Sequence, residues 1–375
     1  MVSLVLALAL TATLAADPPA GQIIGDVPCA MDPSQSYALY IPSGYTPDRA
    51  WPVIFAFDPG GRGRNPVERY QAAAERYGYI VAGSNTSRNG QPAGKAVAAM
   101  SGDVIARFHI DPKRMYTAGM SGGARVAMSI ALNAQRIAGV FASSAGYPDG
   151  QLRKTLPFPV FATAGTEDFN HLEMRQVDAA LTSPHHLAIF EGGHVWLSSE
   201  LALEGVEWME VQAMKSGLKA RDDNELDTIF AKRTAAAGAA KTDKDALLAV
   251  QSIAADFEGL RDVSSFAARA SALSKYKSVR DALKKDREED DREERVLDDV
   301  RSMEGRLSST DSRVNALVDL RQRWQALSLQ AKAMTDSDER RFARRVLNTL
   351  SASIESTDPD YLKIVAEYRI SRGGR

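Results

Sequence analysis

The chain has 375 residues, a formal net charge of −2, 44% hydrophobic and 25% charged side chains, the profile of a soluble globular protein. So even a balance of charge gives no electrostatic case for nucleic acid as a partner. A single cysteine, Cys29, excludes an intramolecular disulfide and any metal site built from several thiolates.

The first segment, Val2 to about Leu14, is an uncharged apolar run followed by Ala15, Ala16 and prolines. It is short for a membrane span and ends in small residues, so the pattern predicts a signal peptide over 1–16 and an exported protein, periplasmic or secreted by a bacterium. No Lys or Arg precedes the run. Cys29, in "DVPC", does not fit a lipoprotein attachment box and is expected to be a small buried residue.

From 17 to 218 the sequence predicts one α/β domain. Short β-rich runs at 37–42, 51–59, 79–85, 114–119, 139–146, 158–165 and 186–193 alternate with helical patterns near 65–77, 93–107, 122–135, 171–182 and 199–216. Several runs are hydrophobic with almost no alternation, as strands covered on both faces must be. Strand–helix alternation of this kind predicts a doubly wound, mostly parallel sheet, with the active site at the C-terminal ends of its strands.

Those strand ends carry the chemistry. Gly119-Met120-Ser121-Gly122-Gly123 follows one run and opens a helical pattern, the context a strained nucleophile turn requires. An isolated G-x-S-x-G is also compatible with a glycine-rich turn whose serine caps a helix. Two more groups are therefore needed downstream. The run 158–165 ends in "GTED", which places Asp168 just past a strand, and the last run ends in "GGHVW", which places His194 in the same kind of position. Ser121 is expected as nucleophile, His194 as the base that takes and returns its proton, and Asp168 as the carboxylate that orients the imidazole. Glu167 is the minority choice for the acid. His109, His171, His185 and His186 are expected to be structural or on the surface, one of the last two facing solvent. Oxyanion donors are expected from the backbone of Gly122 and from the loop "FDPGGRGRNP", through Gly60 or Gly61. Arg62 and Arg64 flank the expected pocket, where both could favour acidic substrates or either could be a plain surface charge; Arg62 is the one taken as a substrate-binding candidate.

Beyond about 217 glycine, proline and strand-like runs nearly vanish. Residues 219–245 are expected to form a linker or loosely packed helix, and 246–375 an all-helical domain, a bundle or short solenoid, with apolar residues at helical spacing such as Val250, Ile253 and Phe257, Leu320, Trp324 and Met334, and Phe342, Val346 and Leu350. The mixed charge run at 284–295 reads as a solvated helix face with Glu288–Arg292 and Asp291–Arg295 bridges. Ser/Thr/Asp clusters at 308–311 and 335–338 mark helix starts.

The motifs "YALYIPSGY", "DPKRMYTAGMSGGA", "GTED" and "GGHVW" make the stretch from 37 to about 216 resemble the α/β-hydrolase superfamily, and within it secreted esterases of the polyhydroxybutyrate-depolymerase and feruloyl-esterase group, with dienelactone-hydrolase and phospholipase/carboxylesterase relatives. The resemblance implies hydrolysis of carboxylic esters with neither metal nor cofactor. The chain departs from that group in carrying Asp58-Pro59-Gly60-Gly61 where a His-Gly motif is usual, and in its lack of disulfides. No large insertion interrupts the strands, which suggests an open site for small or medium esters; with the N-terminal apolar run read as a signal, no membrane span is expected in the mature chain. A peptidase or acyltransferase on the same triad, or a hydrolase-like binding protein whose helical domain docks a partner or self-associates, are the competing readings.

Overall fold

The structure is a computed structural model that describes residues 19–370; the expected signal peptide lies outside the described residues. Eight strands form one sheet: β1 (Ile23–Cys29), β2 (Asp32–Tyr40), β3 (Trp51–Phe57), β4 (Ile80–Ser84), β5 (Ile110–Met120), β6 (Ile137–Ser143), β7 (Val160–Gly165) and β8 (His185–Phe190). Their order is β1-β2-β4-β3-β5-β6-β7-β8, antiparallel at β1–β2 and β2–β4 and parallel thereafter. This is the α/β-hydrolase fold.

Both faces of the sheet are covered. On one, Val53, Phe55 and Phe57 of β3 join a core with α2 (Gly94–Arg107), α3 (Gly122–Asn133) and α4 (His171–Ala180). On the other, Ile54 and Ala56 pack with α1 (Arg64–Tyr77) and α5 (Ser199–Lys215). Alternate residues of one strand thus enter two cores, which is why the run lacks polar alternation.

Two strands depart from the sequence expectation. β1 escapes a search for continuous apolar runs because it is an edge strand with only Val27 and Cys29 buried. β5 begins earlier than 114: its register jumps from Trp51↔Ile110 to Val53↔Met115, and this bulge takes "DPKR" into the strand instead of a loop.

After α5 the described chain is helical. α6 (Asp223–Gly238), α7 (Asp243–Phe257) and α8 (Ser264–Leu273) share a core with the C-terminal half of α5, where Val211 and Met214 meet Leu226, Ile229, Val250, Ile253 and Phe257. Residues 223–238 are therefore a packed helix, and the break to α7 is only four residues long, ending at Thr242, whose side chain caps α7. α9 (Lys277–Gly305) runs for 29 residues, about 43 Å at 1.5 Å per residue. It carries the chain from this core, through Val279, to a second one that Leu297 and Val300 build with α10 (Thr310–Ala331), α11 (Asp338–Ala352) and α12 (Pro359–Tyr368). Met334 falls in the connection after α10 and is fully exposed, against expectation.

The charge run on α9 is more than a solvated face. Arg292 pairs with Glu339 of α11, Asp290 with Arg175 of α4, and Glu289 and the buried Glu293 with Arg345 of α11. The expected bridge from Glu288 goes to Lys284. Glu288 thus stays within α9, whereas Glu289, Asp290, Arg292 and Glu293 take longer-range partners because neighbouring elements bring a guanidinium or carboxylate across the helix face, and Arg presents a planar fork that two carboxylates can share.

Candidate active site

The loop between β5 and α3 places Ser121 in a conformation that side chains rarely adopt, φ 55° and ψ −125°. Its surroundings leave no room for relaxation. A Cβ on Gly119 would lie 2.1 Å from the Gly123 carbonyl oxygen, and one on Gly123 would lie 1.9 Å from that of Phe57. The glycines are thus a packing requirement of a tight strand-to-helix turn, and the turn presents Ser121 at the N-terminus of α3. A serine that merely capped the helix would accept a bond from its first turn, and Ser121 makes no such side-chain bond.

The loop after β7 brings Asp168 to His194, which the loop after β8 carries. His194 Nδ1 lies 2.8 Å from Asp168 Oδ1, and Asp168 is fully buried. A ring nitrogen facing a carboxylate is the protonated one, so Nε2 is left as the acceptor. Asp168 Oδ1 also accepts the Asn170 backbone N–H at 2.8 Å, and Phe169 stacks on the His194 ring with centroids 3.8 Å apart. The two loops are tied together by Thr166 N–H to Phe190 O and Glu167 N–H to Gly192 O, at 2.9 and 2.8 Å. Glu167 borders the cavity that Ser121 and His194 line, but its carboxylate is engaged by Arg344 of α11 at 2.6 Å and not by His194.

Ser121 and His194 line one cavity of about 360 Å³. Pro59, Arg62, Asn89, Phe169 and Asn348 form part of its wall. The 58–62 loop differs from the sequence expectation in its donors. Gly60 N–H donates to Asp58 Oδ1 at 2.8 Å and Gly61 N–H to Asp58 O at 3.0 Å, so both are spent within the turn. Burial would push the Asp58 carboxyl up, yet the Trp196 indole N–H, the Gly60 N–H and Arg62 outweigh it and hold the group below the usual carboxylate range. The Trp196 bond, 2.8 Å long, links this loop to the one that bears His194. Arg62 contacts Asp58 at 3.1 Å and remains at the cavity with its side chain 67% exposed, whereas Arg64 pairs with Glu68 on α1.

Asn89 was not singled out by sequence, since it sits in a polar loop with no motif. Its backbone N–H donates to Pro59 O at 2.9 Å, and its carboxamide lies against Gly122, where a Cβ would come within 1.9 Å of Oδ1.

The remaining histidines are accounted for structurally. His109 is exposed beside Pro47 O. His171 is buried at the start of α4 with Nδ1 3.0 Å from Gly165 O, and burial, helped by Arg345, lowers its pKa to about 4. His185 and His186 are both half-buried: His185 lies 3.4 Å from Asp178, and His186 stacks on Phe161 beneath α5. Among the described residues no group of three or more His, Cys, Asp or Glu is placed to hold a metal, and no helix is long and apolar enough to cross a membrane.

No family model matches this chain, and no curated protein does. Solved structures are similar to it over about half its length. The fluorophosphonate-binding serine hydrolase F (FphF) of Staphylococcus aureus is 12% identical, with 47% of this chain and 92% of that one covered and a TM-score of 0.39. A ferulic acid esterase is 14% identical, with 49% and 95% covered and a TM-score of 0.38. A hyperthermophilic esterase from the archaeon Pyrobaculum calidifontis is 12% identical, with 52% and 87% covered and a TM-score of 0.39.

Proposed function

We propose that this chain is an exported serine hydrolase that cleaves carboxylic esters through an acyl-enzyme on Ser121. The observation that carries the reading is the 2.8 Å contact of His194 Nδ1 with buried Asp168, beside a serine held at positive φ in the same cavity. In the first step Ser121 Oγ bonds to the carbonyl carbon while its proton passes to His194 Nε2, and Asp168 stabilises the resulting imidazolium. Collapse of the tetrahedral intermediate breaks the bond to the alcohol oxygen, which leaves with the His194 proton. Water then attacks the acyl-enzyme, again giving a proton to His194, and the acid departs as Ser121 recovers that proton.

The oxyanion needs donors aimed at the cavity. Gly122 N–H at the start of α3 is one. With Gly60 and Gly61 bonded inside their own turn, the Asn89 carboxamide is the second in this reading, because it lies against Gly122 and borders the cavity.

A fluorophosphonate probe tests the reading. The full chain should be labelled, Ser121→Ala and His194→Ala should not, and Asn89→Ala should lose about 10²-fold to 10³-fold in kcat on p-nitrophenyl esters. A folded wild type that resists the probe removes the proposal. Parallel assays on amides and on alcohol acceptors separate hydrolysis of esters from peptide cleavage and acyl transfer.

A further inference from the structure

Helix α11 contacts the site through side chains three and four residues apart on one face. Thr349 Oγ1 lies 3.0 Å from Phe169 O and equally 3.0 Å from Arg345 O one turn back, so its one proton is shared between the two carbonyls, and Asn348 Nδ2 donates to Glu167 O at 3.0 Å. Arg345 donates to Thr166 O at 3.0 Å, and its guanidinium is itself fixed by Glu289 and Glu293 of α9. Arg344 pairs with the Glu167 carboxylate, and Arg341 lies 3.4 Å from Glu191 in the loop that leads to His194. Three of the four backbone carbonyls from 166 to 169, those of Thr166, Glu167 and Phe169, are therefore held by one helix.

Backbone carbonyls just past a strand normally face water or their own turn, and here each takes a side-chain donor from some 180 residues further along the chain. Phe169 in turn stacks on His194, and Asn348, buried at 7% exposure, borders the cavity with Ser121. α4, which follows the acid loop, is drawn into the same packing, since Leu172 joins the α9–α12 core and Arg175 meets Asp290.

We infer that the C-terminal helices complete the active site: Asn348 and Thr349 are positioning residues that hold the 166–169 loop, and through Asp168 and Phe169 the His194 ring, while Asn348 closes one side of the substrate cleft. The catalytic consequence rests on the serine-hydrolase reading, whereas the hold on the loop does not. A proton relay is sensitive to this kind of support, because a displacement of about 1 Å of a catalytic group can cost on the order of 10²-fold in rate. The contrast with the open site expected from sequence is clear: no insertion between strands closes the cleft, and a helix from beyond the sheet does so.

The test uses the full chain with Asn348→Ala, Thr349→Val, their double variant, and Thr349→Ser as the variant that keeps the hydroxyl. Hydrogen exchange of amides 166–171 is followed in a Ser121→Ala background, with amides of β5 as the internal measure of global folding. Fluorophosphonate labelling rates and kcat and KM on short esters are followed with Ser121 intact. The double variant should exchange about tenfold faster at 166–171 with β5 unchanged, and label about tenfold to 10²-fold more slowly. Thr349→Ser should restore both values, a rescue that a merely space-filling role for Thr349 would not require. Unchanged exchange, or faster exchange with an unchanged labelling rate, overturns the inference. Wild type that never labels, together with faster exchange in the variants, upholds the hold on the loop and removes the hydrolase reading instead. If the double variant also loosens β5, the isosteric Thr349→Val alone decides by the same readouts.

Discussion

The sheet region up to α5 and the helical region after it contribute to the same cavity in opposite ways. In the first, chemistry is written into short turns: Gly119, Ser121 and Gly123 span five residues, and each glycine answers a backbone oxygen about 2 Å from where its Cβ would be. In the second, nothing local marks a site. Asn348 and Arg345 are ordinary polar residues on an amphipathic helix until the fold sets them against residues 166–167. A strained turn announces itself in sequence because few residue types can occupy it. A supporting contact does not, because almost any polar residue could make it.

The largest expected effect lies in the turn-borne half and asks whether the acid is Asp168 alone. Asp168→Asn should lower kcat by on the order of 10⁴-fold, since an amide cannot hold the imidazole in the tautomer that leaves Nε2 free. Glu167→Gln should cost far less, because that carboxylate faces Arg344. Ester hydrolysis rates for the two variants check this, and comparable losses would erase the distinction between neighbouring carboxylates that the 2.8 Å contact draws.

The second prediction turns to the helical half and measures how firmly it is joined. Arg345 and Glu293 form a nearly fully buried pair, with side chains 4% and 1% exposed. Burial pushes the Glu293 carboxyl up while Arg345 opposes that shift. Arg345→Met leaves this carboxylate without its partner, and urea unfolding should show a loss of about 3–5 kcal/mol, whereas an Arg345→Met/Glu293→Met double variant should recover much of it. Recovery of stability with slow fluorophosphonate labelling would sharpen the comparison, since it separates what the pair does for folding from what Arg345 does at Thr166 O.

How far the sequence could be read follows the same division. Seven of the eight strands and the five helices around the sheet were legible because a strand buried on both faces, or a helix with one apolar stripe, leaves a period in the chain. β1 was not, being a half-exposed edge. Ser121, Asp168 and His194 were legible as candidates because each follows a strand end in the order such folds require, and the fold brings Ser121 and His194 to one cavity with Asp168 against the imidazole. The donors at 60 and 61 could not be judged, because whether an N–H points at a cavity depends on Asp58, whose orientation is set by Trp196 far along the chain. Phe169 was hidden beside Asp168 for a similar reason: that its ring lies on His194 depends on how two loops meet. On α9, charge spacing gave local bridges, while Asp290 and Arg292 take their partners from α4 and α11.

The smallest expected effect probes the seam between the two regions through pH. His171 is buried at the base of the acid loop, with Arg345 and Arg175 lowering its pKa further and Gly165 O and Asp168 working against them, and the net result is a fall from 6.5 to about 4. Between those values the unfolded chain binds a proton that the folded protein refuses. The His171 contribution is therefore complete above pH 6.5 and is lost as pH falls towards 4, for a total of roughly 3 kcal/mol. His186, lowered by burial, adds a change of the same sign, and His185, raised by its bond to Asp178, one of the opposite sign. A comparison of wild type with His171→Gln cancels both. Urea unfolding of the two proteins at intervals from pH 7.5 to 4 should show their stability difference shrinking or reversing as the wild type alone loses stability on acidification. A difference that stays constant would mean that His171 titrates as it does in the unfolded chain, and that the junction of the acid loop with α9 and α11 admits water.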